Sequence, residues 1–483
     1  MPSESPAEEE AFFDKSRNTT LLPSTGDLRA LETFWTIWPI QRKCLLAFVI
    51  VYGIVLLQVR KAARRDPTSL FFDPDIGFER IYSVQREAEA RAFVDKWNSM
   101  HPYQASTANQ SICVGIPTAQ RANVSYVETT VGSILAGLSP EERGELYILP
   151  FIAHLDPQIH PAYQTSWLHG ATDDVLVYDL ERKERKYVAY LEEFEKNHHK
   201  KSLVDYKYIL NACHQVGTPF IMIVEDDVLA AAGWYAHLKA ALRTKVRRSI
   251  TESSLYLRLF YTEVNFGWNK ESWLGYLIYS TFLEGLVAGI LILLRRRRSP
   301  IRRLLTPSCC ITSLAIYVPL LILLFFATGR LTLFPLAHGL QPMDQYGCCS
   351  QALLYPRDQV PDLITRFEQE LSGTNLRKGV DALIETYADE TGLKRWAVVP
   401  SLFQHVSTRS GKQIKPEKWT KWRRTASAPE RIWNFEFEKW WMDHHTGGAA
   451  EAREDHQIDE AVKNGDETIE STIEASTATT LIA

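Results

Sequence analysis

The sequence predicts an α/β domain with parallel strands, split by a transmembrane helical hairpin and preceded by an N-terminal transmembrane helix. Three observations carry this reading. Short apolar runs rich in β-branched residues alternate with helical stretches between Ile112 and Thr262, and the alternation resumes after Gln345. Strands alternating with helices favour a parallel sheet. Two long apolar segments, Ser272 to Leu294 and Leu304 to Gly329, interrupt that alternation, and each is long enough to cross a bilayer. A third, Cys44 to Arg60, precedes it.

Residues 1–33 are acidic and polar, the composition of a disordered tail. Residues 34–60 hold the first span, with 16 uncharged residues between Lys43 and Arg60. At about 1.5 Å per residue these cover about 24 Å, short for a bilayer unless Arg42, Lys43 and Arg60 snorkel. Trp35 and Trp38 suit the interface. Residues 78–271 form the first part of the α/β domain, opened by a helical stretch from Phe78 to Asn98. Strands are expected at Ile112–Pro117, Leu146–Leu155, Asp174–Leu180, 219–224 and Leu255–Thr262. Helices are expected at Val124–Leu138, Arg182–Lys196, Leu203–Gln215 and Ala230–Thr244.

The hairpin occupies residues 272–329. Its loop carries Arg295, Arg296, Arg297, Arg298, Arg302 and Arg303 and no acid. Such a loop belongs in the cytosol, which places the N-terminus there too and puts 78–271 and 330–445 in the lumen. The charges flanking the first span argue the other way, and the six-arginine loop outweighs them. Glu284, mid-span, either serves function or fixes packing through a hydrogen bond to another span; Gly285 and Gly289 beside it suit close helix contact. In residues 330–445 the segment Gln345–Tyr355 is strand-like. A helix begins near Pro361, another covers Ala382–Tyr387, a strand covers Trp396–His405, and the aromatic run Ile432–Glu438 precedes a disordered acidic tail, 446–483.

A net charge of −4 and a pI near 6.4 exclude bulk nucleic-acid binding. Of seven cysteines, Cys113, Cys213, Cys348 and Cys349 fall in the luminal parts and allow three full pairings; no Cys/His spacing suggests zinc. Asn109 and Asn123 head glycosylation sequons.

The run Pro219-Phe220-Ile221-Met222-Ile223-Val224 reads as a buried strand and ends at once in Glu225-Asp226-Asp227. Acid content alone gives about 0.8 such triplets by chance, and Glu8-Glu9-Glu10 is a second. The strand context separates them. Burying three carboxylates unpaired is costly, so they belong at the strand's open end, facing a cation or solvent. Oxygen ligands suit Mn²⁺ or Mg²⁺, and such an ion can hold a diphosphate. That is the arrangement expected of a nucleotide-sugar transferase, against the plainer alternative of a surface or helix-capping cluster.

Several stretches together resemble a known family. They are Val114-Gly-Ile-Pro-Thr-Ala-Gln-Arg121, Asp205-Tyr206, Gly217 to Val228, and Leu257-Arg-Leu-Phe-Tyr-Thr-Glu263. Tyr346-Gly-Cys-Cys-Ser-Gln-Ala-Leu-Leu-Tyr-Pro356 and Pro400-Ser-Leu-Phe-Gln-His405 complete the set. Over roughly residues 78–441 the chain is similar to the post-GPI-attachment factor four family, Golgi glycosyltransferases that add β1,4-linked N-acetylgalactosamine to a mannose of the GPI glycan. The last stretch also resembles type IV branching N-acetylglucosaminyltransferases. The resemblance implies a GT-A fold with an inserted transmembrane hairpin, three spans in all. It also implies a UDP-sugar donor, a GPI-glycan acceptor at the bilayer, and a Golgi or ER membrane location.

Inverting transfer then assigns roles. Asp227 is expected to ligate Mn²⁺ (or Mg²⁺), with Glu225 at the ribose or at a water on the ion and Asp226 in support. His405 either completes the metal set or is a hydrogen-bonded core histidine. Arg121 holds phosphate or uracil, or is a surface arginine. Tyr346, Gly347 and Trp433 line the sugar and acceptor pockets or belong to the core. Asp381, at the start of the helix Ala382–Tyr387, is expected as general base or is an ordinary N-cap, with Glu263 and Asp389 as alternatives. Rival readings are another UDP-hexose donor, an N-glycan acceptor, or a non-catalytic membrane scaffold.

Overall fold

The structure, a computed structural model, describes residues 40–97, 110–121, 125–194, 198–243, 253–296, 305–343, 349–373, 376–407 and 432–445. The chain divides into two units, Met1–Gln58 with Tyr279–Ile322, and Val59–Ile278 with Leu323–Ala483.

Among the described residues three helical stretches are long and apolar enough to cross a membrane: Arg42–Arg65, Lys270–Arg296 and Pro307–Thr328. The first helix, Ile40–Ala62, has 23 residues, about 34 Å at the α-helical rise. The helix runs on through its basic flanks, so its uncharged stretch is still 16 residues with Arg42, Lys43 and Arg60 at its ends. Within the first unit Phe48 stacks on Tyr317 at 4.1 Å, and Tyr52 Oη donates to the Leu320 carbonyl at 3.3 Å. The third stretch passes through a π-helical turn at Ser313–Tyr317. Pro319, in the following turn, has no N–H and crowds the carbonyl four residues earlier, which widens the helix there.

The second unit is built on a seven-stranded sheet of order β2-β1-β3-β7-β5-β8-β6. Its strands are β1 Ile112–Thr118, β2 Leu146–Ile152, β3 Phe220–Val224, β5 Ser254–Arg258, β6 Gly339–Pro342, β7 Ala352–Pro356 and β8 Lys394–Val399. A separate ribbon pairs β4 Val228–Ala230 with β9 Phe403–His405. Strands from before and after the apolar pair of helices therefore share one sheet. β1, β2 and β3 run parallel, β5 and β8 run parallel, and β7 lies antiparallel between β3 and β5. The carboxyl ends of β1, β2, β3, β5 and β8 thus share one edge, and the expected parallel sheet is in fact mixed.

Side-chain alternation along the strands feeds two cores. Phe220, Met222 and Val224 face a cluster with the helices Val127–Leu135 and Trp234–Arg243. Ile221 and Ile223 face one with the helices His198–Val216, Val360–Ser372 and Val380–Thr391. A Cβ on Gly115 would lie 2.7 Å from Ile209 Cγ1, so glycine lets the helix His198–Val216 approach β1 closely. The disulfide Cys113–Cys213 joins the same two elements, and Cys349 is also disulfide-bonded.

Three expectations are corrected, and one segment that carried none gains a structure. Asp174–Leu180 is not a strand. Only Leu176 bridges to Phe151, while the Asp173 side chain takes the Ile148 amide at 2.8 Å and ends the pairing. The helix expected from Ala230 starts at Trp234, because Val228–Ala230 pairs as β4 and Gly233 (φ +69°) turns the chain. The single strand expected over Trp396–His405 is two, since Pro400 offers no amide for a continuing ladder. The run Ile432–Glu438 enters a helix, Phe435–His445, where Asn434 Oδ1 accepts the Phe437 amide at 2.7 Å.

Candidate active site

Glu225, Asp226 and Asp227 follow β3 directly, at the edge of the sheet where the parallel strands end. Such edges bind ligands in α/β sheets. The strand leaves its last side chains wholly buried, so the acidic residues begin where the hydrophobic pattern stops. Asp226 and Asp227 are themselves buried, and each carboxylate must find partners.

Arg121, three residues past β1, supplies them. Its guanidinium donates to Asp227 Oδ2 at 2.8 Å and to Asp226 Oδ1 at 2.5 Å, and reaches Ser407 Oγ at 3.4 Å. It also lies over the Tyr126 ring at 5.2 Å. His405, last in β9, places Nε2 3.5 Å from Asp227 Oδ2. It arrives there because β9 pairs with β4, setting His405 opposite Val228, the residue after Asp227. Glu225 accepts from Ser350 Oγ at 2.9 Å and Gln351 Nε2 at 3.5 Å, both just before β7.

Asp226 is oriented by a relay. His160 Nδ1 accepts the Ala162 amide at 3.2 Å, so its Nε2–H donates to Thr118 Oγ1 at 3.1 Å, and the Thr118 hydroxyl donates to Asp226 Oδ2 at 2.7 Å. Burial, with His154 nearby, pushes the His160 pKa down to about 4, which keeps it neutral. Thr130 Oγ1 lies 2.6 Å from the Asp226 carbonyl and 2.7 Å from that of Val228, pinning the turn between them.

The three carboxyls are held in different states. Burial pushes Glu225 up to about 7, helped by Asp227, and pushes Asp226 up to about 6 despite Arg121. Burial would raise Asp227 as well, but His405 and Arg121 outweigh it and hold that carboxyl well below the usual range. Asp227 is thus the fixed anion of the cluster.

Asp227 Oδ1 and His405 Nδ1 are buried and, among the described residues, have no hydrogen-bond partner. A carboxylate oxygen and an imidazole nitrogen are donors that a divalent ion of the Mn²⁺ type accepts. Among the described residues, however, no group of three or more His, Cys, Asp or Glu is arranged to hold a metal. Of the expected set, His405 approaches Asp227 while Glu225 is held by Ser350 and Gln351, and Arg121 already pairs with Asp226 and Asp227. The two orphaned atoms are the donors this cluster could offer an ion, and no finished cage is present among the described residues.

The other expected residues separate. Asp381 is exposed in the first turn of the helix Val380–Thr391, accepting only the neighbouring Ala382 amide at 2.8 Å. That helix leads into β8 and so begins near the acidic edge. Glu263 is buried, with its two oxygens accepting the Phe435 and Glu436 amides at 2.9 Å each. It caps the helix Phe435–His445. Burial pushes its pKa up to about 8. Asp389 pairs with Arg395 at the far end of its helix. Trp433 packs in a small core with Phe72, Val264 and Phe435. Tyr346 and Gly347 lie outside the described residues. Thr118, His160, Ser350 and Gln351 were not singled out as site residues. Thr118 closes a strand aimed at the cluster and could have been, whereas His160 is 66 positions from Asp226 and gave no local signal.

A buried acidic turn at the carboxyl edge of an α/β sheet, in a chain with apolar spanning-length helices, fits a membrane-associated glycosyltransferase. A model of the family described as GPI-N-acetylgalactosamine transferase PGAP4 matches residues 112–404. The chain belongs to that family. No curated protein matches it. Among solved structures one match is the mannosyltransferase PcManGT from Pyrobaculum calidifontis, in complex with GDP-Man and Mn²⁺. It shows 14% identity over 36% of this chain and a TM-score of 0.20, and the alignment spans 43% of that protein.

Proposed function

We propose that this chain is an inverting, divalent-metal-dependent transferase of the GT-A type. It moves N-acetylgalactosamine from UDP-N-acetylgalactosamine to a mannose of GPI anchors, with its α/β domain in the Golgi or ER lumen and a membrane hairpin inserted into that domain. The observation that carries this reading is the acidic turn after β3, where Asp227 is kept anionic while one of its oxygens and one His405 nitrogen lack partners. The positively charged hairpin loop supports the luminal placement.

In this reading Asp227 and His405 would hold Mn²⁺, which supplies charge to stabilise the departing diphosphate. Arg121, now paired with Asp226 and Asp227, is the cation placed to take a donor phosphate when those carboxylates are engaged. Glu225, fixed by Ser350 and Gln351, is placed for a ribose hydroxyl, and Tyr346 and Gly347 belong to the donor pocket. Asp381 serves as general base. It is solvent-accessible and takes the proton of the acceptor hydroxyl as that oxygen bonds to the anomeric carbon and UDP leaves. Both oxygens of Glu263 are committed to a helix end, which favours Asp381 over it.

The test is UDP release by purified full-length protein across a panel of UDP-sugars, with Mn²⁺ or chelator. Turnover of UDP-N-acetylgalactosamine that is lost with chelator and falls at least about 100-fold in Asp227→Ala is expected. Equal turnover by the variant sinks the assignment.

A further inference from the structure

The segments flanking the three spanning-length helices on the side of the α/β unit are hydrogen-bonded into one junction. Asp66, 7% exposed, is its centre. Its Oδ1 accepts the Thr68 amide and hydroxyl at 2.7 and 2.6 Å, and its Oδ2 accepts the Thr332 amide and hydroxyl at 2.7 and 2.8 Å. The Leu70 amide and Ser69 Oγ both donate to the Ala327 carbonyl, at 3.0 and 2.9 Å. Trp268 Nε1 donates to the Phe326 carbonyl at 3.1 Å. The exit of the first helix, the entry of the second and the exit of the third are therefore held together.

Around this junction sit Arg60, Lys61, Arg64, Lys270 and Arg330. Among the described residues none of their side chains makes a hydrogen bond or ion pair; Arg65 alone of the group nearby is neutralised, by Glu79 at 3.3 Å. Beside them Leu70 is 83% exposed, Trp273 63% and Phe334 57%. Large exposed apolar side chains at the ends of spanning helices belong in the membrane interface, at headgroup depth.

The charge is the informative part. A lysine and arginine bias marks one end of a membrane bundle, the cytosolic one. Here the opposite ends of the same helices already carry Arg42, Lys43 and the six-arginine loop. Whichever end is cytosolic, the second basic ring has no topological purpose, and five unpaired cations at headgroup depth need anions. Phospholipids of either leaflet bring a phosphate to that depth, and acidic ones bring it without a compensating headgroup cation.

We propose that Arg60, Lys61, Arg64, Lys270 and Arg330 form a collar that binds the headgroup phosphate of acidic phospholipids in the leaflet on the catalytic side. The apolar rim of Leu70, Trp273 and Phe334 sets its depth. Such a collar would hold the α/β unit at a fixed height over a lipid-anchored glycan. The proposal does not depend on the donor or on the metal.

The experiment places the full-length protein in phosphatidylcholine nanodiscs containing spin-labelled phosphatidylinositol or, separately, spin-labelled phosphatidylcholine. The motionally restricted fraction of each is then compared. Because the hairpin loop also attracts acidic lipid, the background is a variant with its six arginines changed to Gln. In that background selection of phosphatidylinositol should persist, by about fivefold or more, and should fade on raising salt from about 0.1 to about 0.5 M. Adding Arg60→Gln, Lys61→Gln, Arg64→Gln, Lys270→Gln and Arg330→Gln should remove it while thermal unfolding is unchanged. Loss of selection in the loop variant alone, selection indifferent to salt, or selection retained in the collar variant would each overturn the proposal. The background and salt arms stand even if the collar variant does not fold.

Discussion

Arg121 and Asp227 define the site's electrostatics, because a guanidinium shared by two buried carboxylates leaves both uncompensated when it is removed. Arg121→Ala should therefore cost stability as well as turnover, about 3–5 kcal/mol in denaturant melts; a stable but inactive variant would instead assign Arg121 to the donor alone. Glu263 makes a prediction of opposite character. Its folded-state pKa is raised, to about 8 from 4.5, so the protonated form is favoured in the fold. The stability this carries is fully present below pH 4.5 and is lost progressively until the folded carboxyl ionises near pH 8, at a slope of up to about 1.4 kcal/mol per pH unit. Thermal melts of wild type should fall across that window relative to Glu263→Gln; parallel curves would refute the buried, neutral carboxyl. Legibility at this scale was uneven. The triplet 225–227 and Arg121 stood out because an abrupt acidic end to an apolar strand is a local pattern. The relay from His160 through Thr118 to Asp226 was not visible, because it joins the end of β1, the turn after β3 and a segment following β2 that lie far apart in sequence.

Elements were legible where one physical signal dominated. β1, β3 and the helix His198–Val216 fall close to expectation because their apolar runs are continuous or regularly spaced. The segment after Asp173 failed because a side-chain cap, not propensity, decides where the edge of β2 stops pairing. β9 was read as the tail of β8 because a proline inside an apolar run looks, in sequence, like an interrupted strand, not a second one. The disulfide choice was equally hidden, since three pairings were open until β1 and the helix His198–Val216 were seen side by side. That bond closes a span of 100 residues, for which chain entropy gives up to about 4.7 kcal/mol. Cys213→Ser should lower the unfolding midpoint strongly under oxidising conditions and hardly at all in reductant. An equal midpoint under both conditions would show that the bond contributes nothing to stability.

Across the whole molecule, the resemblance read from the sequence and the family match agree, and the sheet unites strands that the apolar pair of helices separates in sequence. The helices leave and return through one clipped junction around Asp66. The most direct measurement incubates purified full-length protein with UDP-N-acetylgalactosamine, Mn²⁺ and a GPI glycolipid, and reads the glycan by mass spectrometry. The account predicts one N-acetylhexosamine added to a mannose by the wild type and none by Asp227→Ala. An unmodified glycan from well-folded protein that binds the donor, or addition by Asp227→Ala at the wild-type rate, would contradict it.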